Sequence, residues 1–318
     1  MRAMVTTEFG GSELFEQQDV ERPQPGPGEV LVRVIASGTN PVDAKLRAGD
    51  IPGAVQTPVV LGADASGVIE EAGAGVTDLS VGDEVYYTPE LFGSGSNGSY
   101  AEYNVVPASI VAPKPPSLTH EEAAAVPLAG GTAWEAIVRR LAVVPGETVL
   151  IHGGAGGVGS FAVQIAKAAG ARVLATAGTS NQETLKSLGA DVCLDYSSDD
   201  VAGTAAAEND GEGVDAVFDT VGGQVEEATG YTRPFGRIAT ILPPQGDLTQ
   251  LYLKNQTLYG VFLSRERRRL VELGRLMQRG QVKPLVDEVL DLSEVGKAHE
   301  RLDSGHGRGK IVLRVSQG

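Results

Sequence analysis

Cysteine is almost missing from this chain. Its 318 residues hold one, Cys193, so no internal disulfide forms and no zinc site built on two or four cysteines exists. No run comes near the ~20 apolar residues of a membrane span, and the opening stretch MRAMVTTEFGGSELFEQQ has no apolar core of signal-peptide length. These absences lead to the expectation of a soluble, cytoplasmic protein. Positive charge is also short: 26 Lys and Arg against 41 Asp and Glu leave a net charge of -15. Phosphate backbones and anionic lipids are repelled on average, so neither nucleic acid nor membrane is an expected partner. The one basic run, RERRR at 265–269, is expected to be a solvated helix face. The four histidines, His120, His152, His299 and His306, are scattered and suggest no ligand cluster.

Glycine, by contrast, is plentiful. Residues 1–120 contain short strand-like runs broken by Gly and Pro, such as EVLVRVIASG, ASGVIEEAG and GDEVYYTP. Thr119 and Glu122 form a capping box, so a helix is expected to start there. A second helical stretch, TAWEAIVRRLA, follows. From about 148 the texture alternates. TVLIHG, RVLATA, DVCLDY, VDAVFDTV, GRIATIL and TLYGVFL read as six strands separated by helical segments, the pattern of a doubly wound parallel sheet. After 263 come the helix RERRRLVELGRLMQRG, the run VKPLVDEVLDL, a helix EVGKAHERL and a last strand KIVLRV. GSGSNGS at 93–99 reads as a flexible loop.

Within the alternating zone, GAGGVG at 154–159 fits the phosphate-binding pattern G-x-G-x-x-G. The pattern alone is weak, but here a strand precedes it, a helix follows it, and a second strand begins at 172. Gly154 is expected to permit a tight turn, Gly156 to let backbone approach a pyrophosphate, and Gly159 to let helix meet strand. Gly157 and Val158 begin the helix, which is expected to be amphipathic, and offer free amides to an anion. No Asp or Glu occurs from 155 to 182, so the usual acid for an NAD ribose is missing. The second strand ends in neutral hydrogen bonders, including Thr179 and Ser180, which favours NADPH (NADP).

At this point the chain resembles the medium-chain dehydrogenase/reductase superfamily, in its zinc-free quinone oxidoreductase and enone (alkenal) reductase branch. The resemblance covers essentially the whole length. Its carriers are GPGEVLVRVIASGTNPVDAKLRAG, TPVVLGADASGVIEEAGAGV, VGDEVY, NGSYAEY, AAAVPLAGGTAWEAI, GETVLIHGGAGGVG, SLGADVCLDY, FDTVGG and GKIVLRV. It implies an α/β fold: a Rossmann doubly wound parallel sheet plus a GroES-like β-barrel domain. The implied division is a GroES-like catalytic domain at 1–120, a Rossmann NADP-binding domain at 121–263, and a C-terminal segment, 264–318, completing the catalytic domain. The active site would lie in the cleft between the two domains. Zinc-dependent members carry a cysteine in the early loop, a Gly-His-Glu step and a four-cysteine lobe. Here Ser37 and Asn40 stand in that loop, Gly62, Ala63 and Asp64 at that step, and the lobe is missing, so no catalytic metal is expected.

The chemistry implied is hydride addition to acceptors that are already electron-poor, a quinone or an α,β-unsaturated carbonyl. Asn40 and Lys45 are the expected catalytic residues, Asn40 orienting the nicotinamide or substrate carbonyl and Lys45 binding the ribose or stabilising an enolate. Asp43 is expected to pair locally or to cap its helix. Tyr86, Tyr87 and Tyr100 are expected in the pocket or in the core. His152 is expected near the pyrophosphate or in a structural role. Further cofactor contacts come from the resemblance alone. They are Thr132 near the nicotinamide phosphate; Thr179, Ser180 and Tyr196 at the adenosine end; Val221 and Leu242 at the ribose; Phe262 and Leu263 at the nicotinamide amide. Arg308 would supply the missing positive charge. A homodimer through the TLYGVFL edge strand is expected. A competing reading is an NADPH-binding structural or regulatory protein of the same fold with little turnover.

Overall fold

The computed structural model describes residues 1–93 and 97–316. Of the loop expected at 93–99, residues 94–96 lie outside the described residues. The chain divides into two compact units. One comprises Met1–Ala129, Arg265–Gln278 and Pro284–Gly318; the other comprises Gly130–Ser264 and Arg279–Lys283. No helix among the described residues is long and apolar enough to cross a membrane.

The first unit is built on a seven-stranded sheet. Its order is Val286–Asp291, Lys310–Arg314, Glu29–Gly38, Asp64–Ala72, Glu84–Tyr87 and Ala112–Pro113, with Tyr103–Pro107 also paired to Glu29–Gly38. A smaller sheet runs Phe15–Asp19, Arg2–Thr6, Val59–Val60. Glu29–Gly38 is buried on both faces except at Glu29 and Arg33, which is why it reads as a near-continuous apolar run. It ends at Gly38, where a Cβ would lie 2.2 Å from the carbonyl oxygen of Ala124. The helix Pro41–Ala48 starts at once. Pro41 presets its first turn, and the Asn40 amide donates to Asp43 Oδ2 at 2.9 Å, so Asp43 does cap the helix. Gly49, at φ 83°, ends it. The strand Lys310–Arg314 runs antiparallel to Glu29–Gly38 with Val312 opposite Gly38. That pairing brings Lys310 beside Asn40 from the far end of the sequence.

Thr119 and Glu122 do form a reciprocal cap, opening a short helix, His120–Ala124. The basic run departs from expectation. Arg265 pairs with Glu90 at 2.8 Å, Arg267 with Asp78, Arg268 with Glu272 at 2.9 Å, and Arg269 is fully buried beside Glu266. Of these, only Arg268 is mainly solvated. The helix Arg267–Gln278 packs on the sheet, with the Tyr86 hydroxyl donating to Leu270 O at 2.6 Å, so its first turn faces protein.

The second unit holds six parallel strands, and all six runs read from the sequence are present. Their spatial order is Val192–Asp195, Arg172–Ala177, Thr148–His152, Val214–Asp219, Thr232–Thr240 and Thr257–Gly260. Numbered along the chain this is 3-2-1-4-5-6, so the order reverses at the first strand, where doubly wound sheets open a crevice at the strands' carboxyl ends. The helix Gly157–Ala168 is less amphipathic than its sequence suggests: every residue from Gly159 to Ala166 is buried. It is covered beyond the sheet: the segment Glu135–Arg140 packs against it, and Lys283 is tied to it. Gln164 brackets the backbone of Lys283, donating to its carbonyl at 2.9 Å and accepting from its amide at 2.8 Å.

Candidate functional site

The glycines after the first strand divide by role. The left-handed position is Gly153, at φ 69°, and its amide donates to Thr176 Oγ1 at 3.1 Å. The tight turn expected of Gly154 therefore falls one residue earlier. Gly154 is small because a Cβ there would sit 2.8 Å from the Ala175 methyl. Gly159 is small because a Cβ would sit 2.0 Å from Gly153 O, so helix does meet turn there. At Gly156 a Cβ would meet one atom, Gly153 O at 3.3 Å, and is otherwise open. Gly156 is also the helix cap, with no side chain to satisfy the first-turn amides. The amides of Gly157, Val158 and Gly159 have no carbonyl one turn back to bond. An open face above bare amides at a helix N-terminus fits a pyrophosphate.

The loops at the neighbouring carboxyl ends close around this turn. A Cβ on Gly153 would meet Val221 Cγ1 at 2.5 Å, and one on Gly222 would meet Leu242 Cδ1 at 2.7 Å. Val221 and Leu242 thus stand in one row above the switch point. Asp219 holds the loop in place, accepting from the amides of Val221, Gly222 and Gln224 at 2.8 to 3.1 Å. At the end of the second strand, Thr179, Ser180 and Tyr196 are exposed, and the Tyr196 hydroxyl lies 3.3 Å from where a Cβ on Gly178 would be. His152 is turned inward instead. It is buried, its Nε2 is 2.8 Å from the Tyr231 hydroxyl, and burial lowers its pKa to about 4.

The first unit holds a different kind of polar centre. Asn40 is buried, and both ends of its amide are engaged: Nδ2 donates to Asp64 Oδ2 at 3.0 Å, and Oδ1 accepts from Lys310 Nζ. Lys310 Nζ also donates to Thr39 O at 2.7 Å and faces Asp64 Oδ2 at 3.2 Å, both side chains being buried. Asp64 Oδ1 accepts from the Leu128 amide at 2.7 Å. Burial raises the Asp64 pKa, and the Lys310 ammonium opposes that rise. Asp43 lies in the same set. Its Oδ2 accepts from the Asn40 backbone N–H and, at 3.4 Å, from the Tyr100 hydroxyl, which in turn is 3.1 Å from His299 Nε2. Burial, with the Asp64 charge behind it, pushes Asp43 up to about 7, while burial lowers His299 to about 3. The ion pair of Asp64 and Lys310 is absent from the sequence reading. Its one trace in the sequence is the Gly62-Ala63-Asp64 step, which puts a carboxylate at that position.

The remaining expected residues are distributed as follows. Lys45 is exposed on the helix Pro41–Ala48 and is not part of the buried set around Asn40. Thr132 is buried on the helix Pro127–Trp134. Phe262 is exposed and Leu263 partly buried just past the sixth strand. Arg308 lies in the first unit and is paired with Asp287 at 2.7 Å, so a carboxylate already balances its charge. Tyr86 and Tyr87 belong to the core.

Comparison with known proteins gives two family-model matches, described as "Alcohol dehydrogenase GroES-like domain" over residues 26–116 and "Zinc-binding dehydrogenase" over residues 188–313. The chain is 33% identical to the "NADPH-dependent alkenal/one oxidoreductase, chloroplastic" of Arabidopsis thaliana, covering 98% of this chain and 79% of that protein. It is 32% identical to the "Quinone oxidoreductase" of Pseudomonas aeruginosa, covering 96% and 97% respectively. Among solved structures, a mycobacterial protein complexed with NADPH superposes with a TM-score of 0.88 at 33% identity, over 99% of this chain and all of that one.

Proposed function

This chain belongs to the medium-chain dehydrogenase/reductase family, and from that premise we propose that it is an NADPH-dependent reductase of a quinone or of the activated C=C bond of an α,β-unsaturated carbonyl, working without zinc. The observation that carries the reading is the turn of bare amides above Gly156 at the switch point of a 3-2-1-4-5-6 sheet. Gly154, Gly156, Gly157, Val158 and Gly159 take the pyrophosphate. Val221 and Leu242 flank the ribose next to it. Thr179, Ser180 and Tyr196 take the adenosine end, where the neutral turn and the tyrosine hydroxyl tolerate a 2′-phosphate. Thr132, Phe262 and Leu263 take the nicotinamide half.

When bound, the reduced nicotinamide supplies the hydride. The rest falls to the chain. Asn40, buried and clamped between Lys310 and Asp64, fixes the start of the helix Pro41–Ala48 that carries Lys45. Lys45 supplies a mobile cation for the negative charge that builds on the acceptor oxygen. Water delivers the proton to the α-carbon. The zinc-free reading is supported by donor chemistry: among the described residues no three His, Cys, Asp or Glu side chains gather to hold a metal. Among the described residues the strand Thr257–Gly260 ends the parallel sheet with one side unpaired, which supports pairing with a second copy as a homodimer.

The test is NADPH consumption with a panel of enones, enals and quinones, with and without a strong chelator. Turnover with at least one acceptor, unaffected by chelation, is the expected result. Tight NADPH binding with no acceptor consumed returns the protein to a binding role, and turnover abolished by chelation defeats the zinc-free reading.

A further inference from the structure

The turn that ends the second strand is neutral in sequence, but the sheet brings a carboxylate to it. Asp195 closes the third strand, Val192–Asp195, and pairs in register with Ala177, the last residue of the second. Its Oδ2 accepts from Thr179 Oγ1 at 2.5 Å, and its Oδ1 accepts from the Ser197 amide at 2.9 Å and Ser197 Oγ at 2.6 Å. The Ser197 and Thr179 donors hold its carboxyl below the usual range, so it is ionised at neutral pH. Asp199 lies beside it, accepting from the Asp195 amide at 2.7 Å. No Lys or Arg occurs at 177–182 or 194–200.

In this fold the adenosine ribose lies at the carboxyl end of the second strand, and an acid there marks a site for the unphosphorylated 2′-hydroxyl. The usual acid sits about 20 residues past the glycines. Here the charge arrives one strand later and reaches the same corner through Thr179. We infer that Asp195 sets the coenzyme balance: its charge beside the ribose holds down the preference for a 2′-phosphorylated dinucleotide over the unphosphorylated one. The inference rests on the reading that this turn binds NADPH, and it adds that NADH competes there.

The test is binding, read by fluorescence titration of NADPH and NADH and by competition with 2′,5′-ADP and 5′-ADP. Wild type is compared with two neutral variants, Asp195→Asn and Asp195→Ser, and with Asp195→Glu; thermal melting identifies the folded ones. In a folded neutral variant the affinity ratio of NADPH to NADH rises by about fivefold, and that of 2′,5′-ADP to 5′-ADP rises with it, because a like charge near a phosphate is removed. Asp195→Glu keeps the wild-type ratio. If the folded neutral variants keep the wild-type ratio, or lose affinity for both dinucleotides equally, Asp195 is a loop anchor and the inference is overturned while NADPH binding stands. If wild type binds neither dinucleotide, the functional reading itself falls and takes this inference with it.

Discussion

In the parallel-sheet unit, main chain forms the candidate nucleotide turn; in the other unit, buried charges are held by side chains. Around Gly156 the donors are amides, and the sequence's contribution is to keep side chains out of the way. Around Asn40 the sequence places two carboxylates, a lysine, a tyrosine and a histidine inside the protein, each held by others of the set. The difference predicts how each centre fails. A backbone site fails when something is added. A buried ionic site fails when something is removed, because the surviving partner is left charged and dry.

The largest expected effect follows from that. Lys310→Met leaves Asp64 unpaired beside Asn40 and should cost about 3–5 kcal/mol of stability, measured by denaturant unfolding. The double variant Asp64→Leu with Lys310→Met should recover a substantial part, since no lone charge remains. In the other unit Gly159→Ala adds one methyl against Gly153 O and should cost about 1–3 kcal/mol. It should also weaken NADPH binding by at least ~10-fold by opening the turn. A Gly159→Ala cost above that of Lys310→Met would break the comparison.

The same contrast explains what could be read in advance. Six strands and the glycine turn were legible because each is encoded within a few residues: apolar runs punctuated by turns, then GAGGVG between a strand and a helix. The placement of the left-handed residue at Gly153 was not, because five glycines in seven residues share one local signal. The set around Asn40 was invisible for a different reason. Residues 40, 64 and 310 meet only through strand pairing, and no spacing rule links them. Asp195 was missed likewise, since a search for an acid along one strand does not see its neighbour in register. The helix at 157–168 reads as amphipathic because its covers beyond the sheet, Glu135–Arg140 and Lys283, leave no mark in its own periodicity.

Lys45 sharpens the comparison from the catalytic side. It is exposed where Asn40 is buried, though both belong to one capped helix. If the cation acts on the acceptor oxygen, Lys45→Ala should lower kcat about tenfold, about 1.4 kcal/mol of barrier, with unfolding unchanged. Loss of stability with unchanged turnover would instead assign the chemistry to the buried set.

The last effects are slopes with pH, and in them Asp43 and His152 act with opposite signs. In the first unit Asp43 has its pKa raised from 3.8 to about 7, so the folded state keeps a proton that the unfolded chain gives up. Its contribution is whole below pH ~4 and is lost as pH rises through about 7. In the parallel-sheet unit His152 is lowered from 6.5 to about 4, so the unfolded chain takes the proton first. Its contribution is present above pH ~6.5 and is lost as pH falls through about 4. His299, in the first unit and lowered to about 3, acts in the His152 direction. Asp43→Asn should therefore make stability rise more steeply with pH between about 4 and 7, and His152→Gln should make it rise less steeply between about 4 and 6.5. Each change in slope is at most about 1.4 kcal/mol per pH unit, one proton's worth. Unfolding curves collected at half-unit steps distinguish the two. Slopes that shift in the same direction for both variants would show that Asp43 is ionised in the folded protein, and the buried set would then carry two negative charges against the one ammonium of Lys310.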